Sequence, residues 1–113
     1  MSLKLGYVIK FVADMGKAVA FYRDTLGLKL RFESSEWSEF ETGETTLALH
    51  RATPEKPAGS CELGLNTGDI AAEHATLAAK DVKFVMPPTQ QQFGGTLAQF
   101  LDCEGARVTL GGK

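Results

Sequence analysis

A chain of 113 residues has room for one ordinary domain and not for two independent cores. With 43% hydrophobic and 23% charged residues it matches folded globular chains, which excludes disordered, collagen-like and disulfide-scaffold classes. The 12 Lys+Arg against 14 Asp+Glu give a net charge of -2 with no basic run, so nucleic acid is not an expected partner, and no stretch approaches the roughly 20 apolar residues of a membrane span.

The first residues carry no apolar segment of the kind that opens a secretory signal, so the expected localisation is cytoplasmic. Cys61 and Cys103 stand 42 positions apart and form no CxxC, so both are expected to be free thiols. Leu5 to Val12 is β-branched and aromatic and predicts a strand, interrupted by Lys10. Lys10 is expected to snorkel or to pair with an acid. Asp14 then offers an N-cap oxygen, and a helix is expected from there to about Leu26, stopped by Gly27. Its apolar stripe is Met15, Ala18, Tyr22 and Leu26. Period two follows in Leu28 to Glu33, Glu36 to Glu41 and Thr45 to His50, with a tight turn at Thr42-Gly43-Glu44. Arg51 to Ser60 holds two prolines and several polar residues and reads as a surface linker.

The same grammar then restarts. Cys61 to Asn66 predicts a strand, Asp69 a second N-cap, and Ile70 to Ala79 a helix facing inward through Ile70, His74 or Glu73, Leu77 and Ala78. Val82 to Met86 predicts a short strand closed by Pro87-Pro88, followed by strands at Thr96 to Leu101 and Arg107 to Leu110. Tyr7 against Glu62 and Asp14 against Asp69 give the same offset of 55, so one unit is used twice. The expected fold is α+β: a single domain over residues 1–113, built from two tandem β-α-β-β-β modules whose curved sheets form a cup. Module one covers about 4–52, the linker about 53–60 and module two about 61–111.

The run YVIKFVADMGKAVAFYRDTLGLKLRF resembles the opening of the vicinal oxygen chelate superfamily, which includes glyoxalase I, extradiol dioxygenases and bleomycin resistance proteins. Module two adds a similar closing pattern in Val82-Lys83-Phe84-Val85, the double proline, Phe93-Gly94-Gly95 and the spacing Phe100, Asp102, Gly105. The resemblance implies four metal-ligand positions, two per module. Seven residues before each Asp cap these are Tyr7 and Glu62, and in the last strands Ala48 and Thr109. A divalent ion needs several His or carboxylate donors at about 2.0 to 2.3 Å, and only Glu62 is one. Neither metal nor cofactor is therefore expected. His50 shares the strand parity of Ala48, so a displaced site with Glu62 is an alternative, although a surface or hydrogen-bonded histidine is the favoured reading. His74, on the second helix, is plainer still.

Trp37, the sole tryptophan, lies in the charged segment ESSEWSEFE and reads equally as lining the cup, or a subunit contact, and as core. Phe93 lies in TQQQFGG, where anchoring the loop is favoured over acting as a flap. The acidic run Glu36, Glu39, Glu41 and Glu44 reads as a solvated face. The expected function is that of a glyoxalase/bleomycin resistance/dioxygenase-like protein that binds a small molecule, such as an antibiotic, without a metal. Its ligand-binding residues are Tyr7, Trp37, His50, Glu62 and Phe93. By resemblance to the bleomycin resistance branch, the cup would bury flat aromatic parts of a drug while acidic residues attract its cationic ones. The alternatives are a metal-dependent lyase or dioxygenase with a displaced site, and an interaction module whose cup is filled by its own side chains, lacking the roughly 300 Å³ a ligand needs. Family likeness also implies a homodimer burying at least about 1,000 Å².

Overall fold

The computed structural model describes residues 3–92 and 94–112. The order of elements is β1 (Lys4–Val12), α1 (Met15–Ala20) continued by a wide turn over Phe21–Thr25, β2 (Lys29–Glu33), β3 (Trp37–Glu41), β4 (Thr46–Arg51), β5 (Cys61–Thr67), α2 (Ile70–Ala79), β6 (Phe84–Gln90), β7 (Thr96–Leu101) and β8 (Arg107–Gly112). This is an α+β fold of two β-α-β-β-β modules. The chain separates into two compact units: one spans Gly6–Cys61, and the other runs from Glu62 and takes in the start of β1 as far as Leu5.

In module one the strands lie in the order β2-β3-β4-β1. β1 runs parallel to β4, with Ile9 opposite Ala48 and Phe11 opposite His50, while β3 is antiparallel to both β2 and β4. Asp14, in extended conformation, accepts from the Lys17 N–H at 3.1 Å and starts α1. One side of the sheet carries Val12, Phe40 and Leu49 against Met15, Ala18 and Val19 of the helix and Tyr22 of the wide turn. The expected stripe holds at Met15, Ala18 and Tyr22, but Leu26 does not join it and is 52% exposed. The physical cause is the wide turn. Leu26 N–H donates to the Phe21 carbonyl at 3.0 Å, five residues back, and Leu28 N–H to that of Tyr22. Gly27, at φ 76°, then reverses the chain, so Leu28 packs on the core in place of Leu26.

Module two repeats the plan as β5-β8-β7-β6, with β5 parallel to β8 and antiparallel pairs on either side of β7. Asp69 accepts from the Ala72 N–H at 3.0 Å, the counterpart of the Asp14 cap. Ile70, Ala98 and Leu110 form the core beneath α2, with Leu65, Phe84 and Phe100 around them. Of the residues expected to face inward, Ile70 and Glu73 are buried, His74 and Leu77 half-buried, and Ala78 exposed. His74 sets its ring edge-on to Phe84 at 4.5 Å.

The double proline does not close β6, which continues through it to Gln90. β6 ends the sheet and pairs only with β7 inside its module, so the missing N–H groups can be tolerated. Met86 stands opposite Gln99 and Thr89 opposite Leu97, so Pro87 and Pro88 together face the single residue Ala98 in a bulge. The linker also departs from a loose surface path. Phe11 N–H donates to Ser60 and Gly59 N–H to Phe11, both at 2.9 Å, which extends β1's pairing beyond β4.

Candidate functional site

Residues of one parity on β1, β3 and β4 share the sheet face of module one that lies opposite α1. On β1 these are Tyr7, Ile9 and Phe11, on β4 Thr46, Ala48 and His50, and on β3 Trp37, Glu39 and Glu41. Their aromatic members meet. Tyr7 and Trp37 lie 6.2 Å apart between ring centres, Trp37 stands edge-on to His50 at 5.9 Å, and His50 tilts against Phe11 at 5.1 Å. Lys56 of the linker holds its Nζ 5.5 Å from the centre of the Phe11 ring. Ile9, Phe11 and Ala48 are buried and form the floor against which Tyr7 and Trp37 pack, with Ala48 wholly inaccessible.

Trp37 is half-buried on this face. Ser34 pins its main chain: the Trp37 N–H donates to Ser34 Oγ at 3.0 Å, and Ser34 Oγ donates to the Trp37 carbonyl at 2.8 Å. The indole Nε1–H donates to Glu39 Oε2 at 2.8 Å. Arg31 in turn donates to Glu39 Oε1 from Nε at 3.2 Å and Nη2 at 2.9 Å, and to Thr46 Oγ1 at 2.7 Å. His50 Nδ1 lies 2.7 Å from the Arg51 carbonyl, and since a carbonyl only accepts, Nδ1 is the donor. Three acids of the run form ion pairs: Glu36 with Arg51 at 3.0 Å, Glu39 with Arg31 at 2.9 Å and Glu41 with Lys29 at 3.5 Å.

Three of the five expected site residues, Tyr7, Trp37 and His50, are thus neighbours on one surface. Glu62 belongs to module two, where β5 buries it to 6% exposure and Thr109 Oγ1 on β8 donates to its Oε2 at 2.5 Å. Gln99 Nε2 reaches the same Thr109 hydroxyl at 3.4 Å. Phe93 lies outside the described residues. Phe11, Arg31 and Glu39 escaped the sequence reading. Strand parity held the signal for two of them, since Phe11 is two residues from Ile9 and Glu39 two from Trp37. Arg31 is placed by a bulge that parity does not reveal.

The donors at the four ligand positions do not suit a divalent ion. Module one supplies a phenol at Tyr7 and a buried methyl at Ala48, and module two a carboxylate at Glu62 that already accepts from the Thr109 hydroxyl. Among the described residues, no three His, Cys, Asp or Glu side chains are grouped so as to hold a metal ion.

Comparison with known families places the chain. The model of the Glyoxalase/Bleomycin resistance protein/Dioxygenase superfamily matches residues 4–110, and the chain belongs to that superfamily. Among solved structures it is similar to the hypothetical protein BH1468 from Bacillus halodurans C-125, at 18% identity and a TM-score of 0.83 over 100% of this chain and 96% of that one. It is likewise similar to methylmalonyl-CoA epimerase from Mycobacterium tuberculosis, at 18% identity and 0.80 over 96% and 86%. A glyoxalase/bleomycin resistance protein/dioxygenase superfamily member from Vibrio splendidus 12B01 matches at 12% identity and 0.77 over 99% and 100%. At these identities the likeness is one of fold. No curated protein matches the sequence.

Proposed function

We propose that this superfamily member binds a small, flat organic molecule without a metal ion, on the face of module one that carries Tyr7, Phe11, Trp37 and His50. The observation that carries the reading is the group of three half-buried rings, Tyr7, Trp37 and His50, on a buried apolar floor that includes Phe11, with the Trp37 main chain and indole nitrogen both held. Rings so arranged offer edges and faces to a planar ligand, each stacking contact adding about 0.5 to 1.5 kcal/mol. Metal independence is supported by the donor chemistry, because a methyl and a hydroxyl replace two of the four ligands the fold can present.

Calorimetry with 2-naphthol as a neutral flat probe tests this. Binding should persist unchanged after dialysis against a chelator and weaken about tenfold in Trp37→Ala, in line with the loss of one stacked ring. Equal binding by the wild type and Trp37→Ala would count against this surface. Tight binding of Zn²⁺ that disappears in Glu62→Gln would instead favour a metal-dependent lyase or dioxygenase.

A further inference from the structure

We propose that Glu39 is the positioning residue of this surface: its carboxylate holds the Trp37 ring in one orientation, so that a flat ligand meets a fixed indole plane. The proposal rests on the small-molecule reading above and adds a residue which that reading does not require.

Glu39 differs from the acids beside it. The side chains of Glu36 and Glu41 are 61% and 49% exposed, whereas that of Glu39 is 21% exposed. Two residues from Trp37 on one strand, it projects to the same face, and its two oxygens have separate tasks. Oε2 takes the indole N–H and Oε1 takes the guanidinium. Swinging the carboxylate to suit one partner therefore breaks the bond to the other, and bonds to a charged acceptor are stronger than neutral ones. The guanidinium is itself anchored across β3, on Thr46 of β4. A bulge makes that reach possible. Leu30 pairs with Phe40 and Phe32 with Glu39, leaving Arg31 as the extra residue of β2, outside the ladder and turned onto Glu39. β2, β3 and β4 thus all contribute to the direction of one ring. Freezing such a ring before binding removes an ordering cost that the ligand would otherwise meet, equivalent to about three- to tenfold in affinity.

Because Trp37 is the sole tryptophan, one indole N–H resonance and all indole fluorescence report on it. In the wild type, exchange of that N–H with water should be slower than in free N-acetyltryptophanamide, a comparison that needs no variant. Glu39→Leu, which removes both acceptors, should speed exchange about fivefold or more and add a fast component to the fluorescence anisotropy decay. Glu39→Gln, which keeps an acceptor oxygen, should restore most of the protection. Arg31→Met, which removes the ion pair and leaves the carboxylate as an acceptor, should lose only a part of the protection that Glu39→Leu loses, even if the melting temperature falls. Affinity for 2-naphthol should drop about three- to tenfold in Glu39→Leu and recover in Glu39→Gln. Unprotected exchange in the wild type overturns the proposal, as does a loss in Arg31→Met equal to that in Glu39→Leu, which would mark Glu39 as a purely structural ion pair. Failure of the wild type to bind 2-naphthol while the indole stays protected would instead remove the binding reading and leave the clamp standing.

Discussion

Asp14 and Asp69 do the same work 55 positions apart, each accepting from the backbone N–H three residues on. Those N–H groups have no partner within the helix, so replacing either aspartate by alanine should lower stability by about 0.5 to 2 kcal/mol, measured by urea unfolding. An unchanged midpoint for both variants would deny the caps any energetic role. Glu73 is the opposite case. It is 6% exposed, Thr67 Oγ1 donates to its Oε1 at 3.3 Å, and its Oε2 has no hydrogen-bond partner among the described residues. An unpartnered buried oxygen forfeits its hydration without return. Glu73→Met, similar in volume and apolar, should therefore stabilise the protein by about 1 to 3 kcal/mol. A fall in melting temperature would show that the carboxylate has a structural task. From helical spacing alone Glu73 and His74 were equal candidates to face inward, because both lie within one turn of the same face. The depth of each was decided by the sheet below, where Phe84 takes the His74 ring.

Elements followed their local chemistry wherever that chemistry was self-sufficient. α2 starts after its aspartate cap and runs Ile70–Ala79 as its composition predicts, and β7 covers Thr96–Leu101. Two departures come where a neighbouring strand intervenes. Two prolines would end an isolated strand, yet β6 passes through them because its partner β7 absorbs them as a bulge. β8 outlasts the apolar run that predicted it, reaching Gly112 because Thr67 of β5 lies opposite. A Cβ on Gly112 would run into the Thr67 carbonyl oxygen, so backbone, not a pliable side chain, blocks any larger residue. Gly112→Ala should therefore destabilise by about 1 to 3 kcal/mol, the range for a forced backbone shift, and weaken amide protection at the ends of β5 and β8. Full stability in this variant would mean that the two strand ends separate at no cost.

For the whole molecule, we expect a homodimer. Phe21, Leu26 and Phe32 are about half exposed, all three on module one, and β2 ends its sheet. Sedimentation at tens of micromolar should return twice the mass of the chain, and a monomer there would refute the pairing. Among the described residues no helix is long and apolar enough to cross a membrane. Titration with Zn²⁺ or Ni²⁺ should show no tight stoichiometric site, since Tyr7, Ala48 and Thr109 supply no ordinary ligand for these ions. The repeated β-α-β-β-β grammar and both caps were legible in the sequence, because each depends on residues near one another in the chain or on a register that the repeat itself supplies. The surroundings of Trp37 were not. Its indole partner, the arginine that holds that partner and the threonine that holds the arginine sit on three strands whose registers are set by cross-strand pairing and one bulge. An acidic run that reads as a solvated face became, at Glu39 alone, a half-buried clamp. Local sequence governs which element forms, whereas contacts between strands many residues apart decide what a given side chain touches.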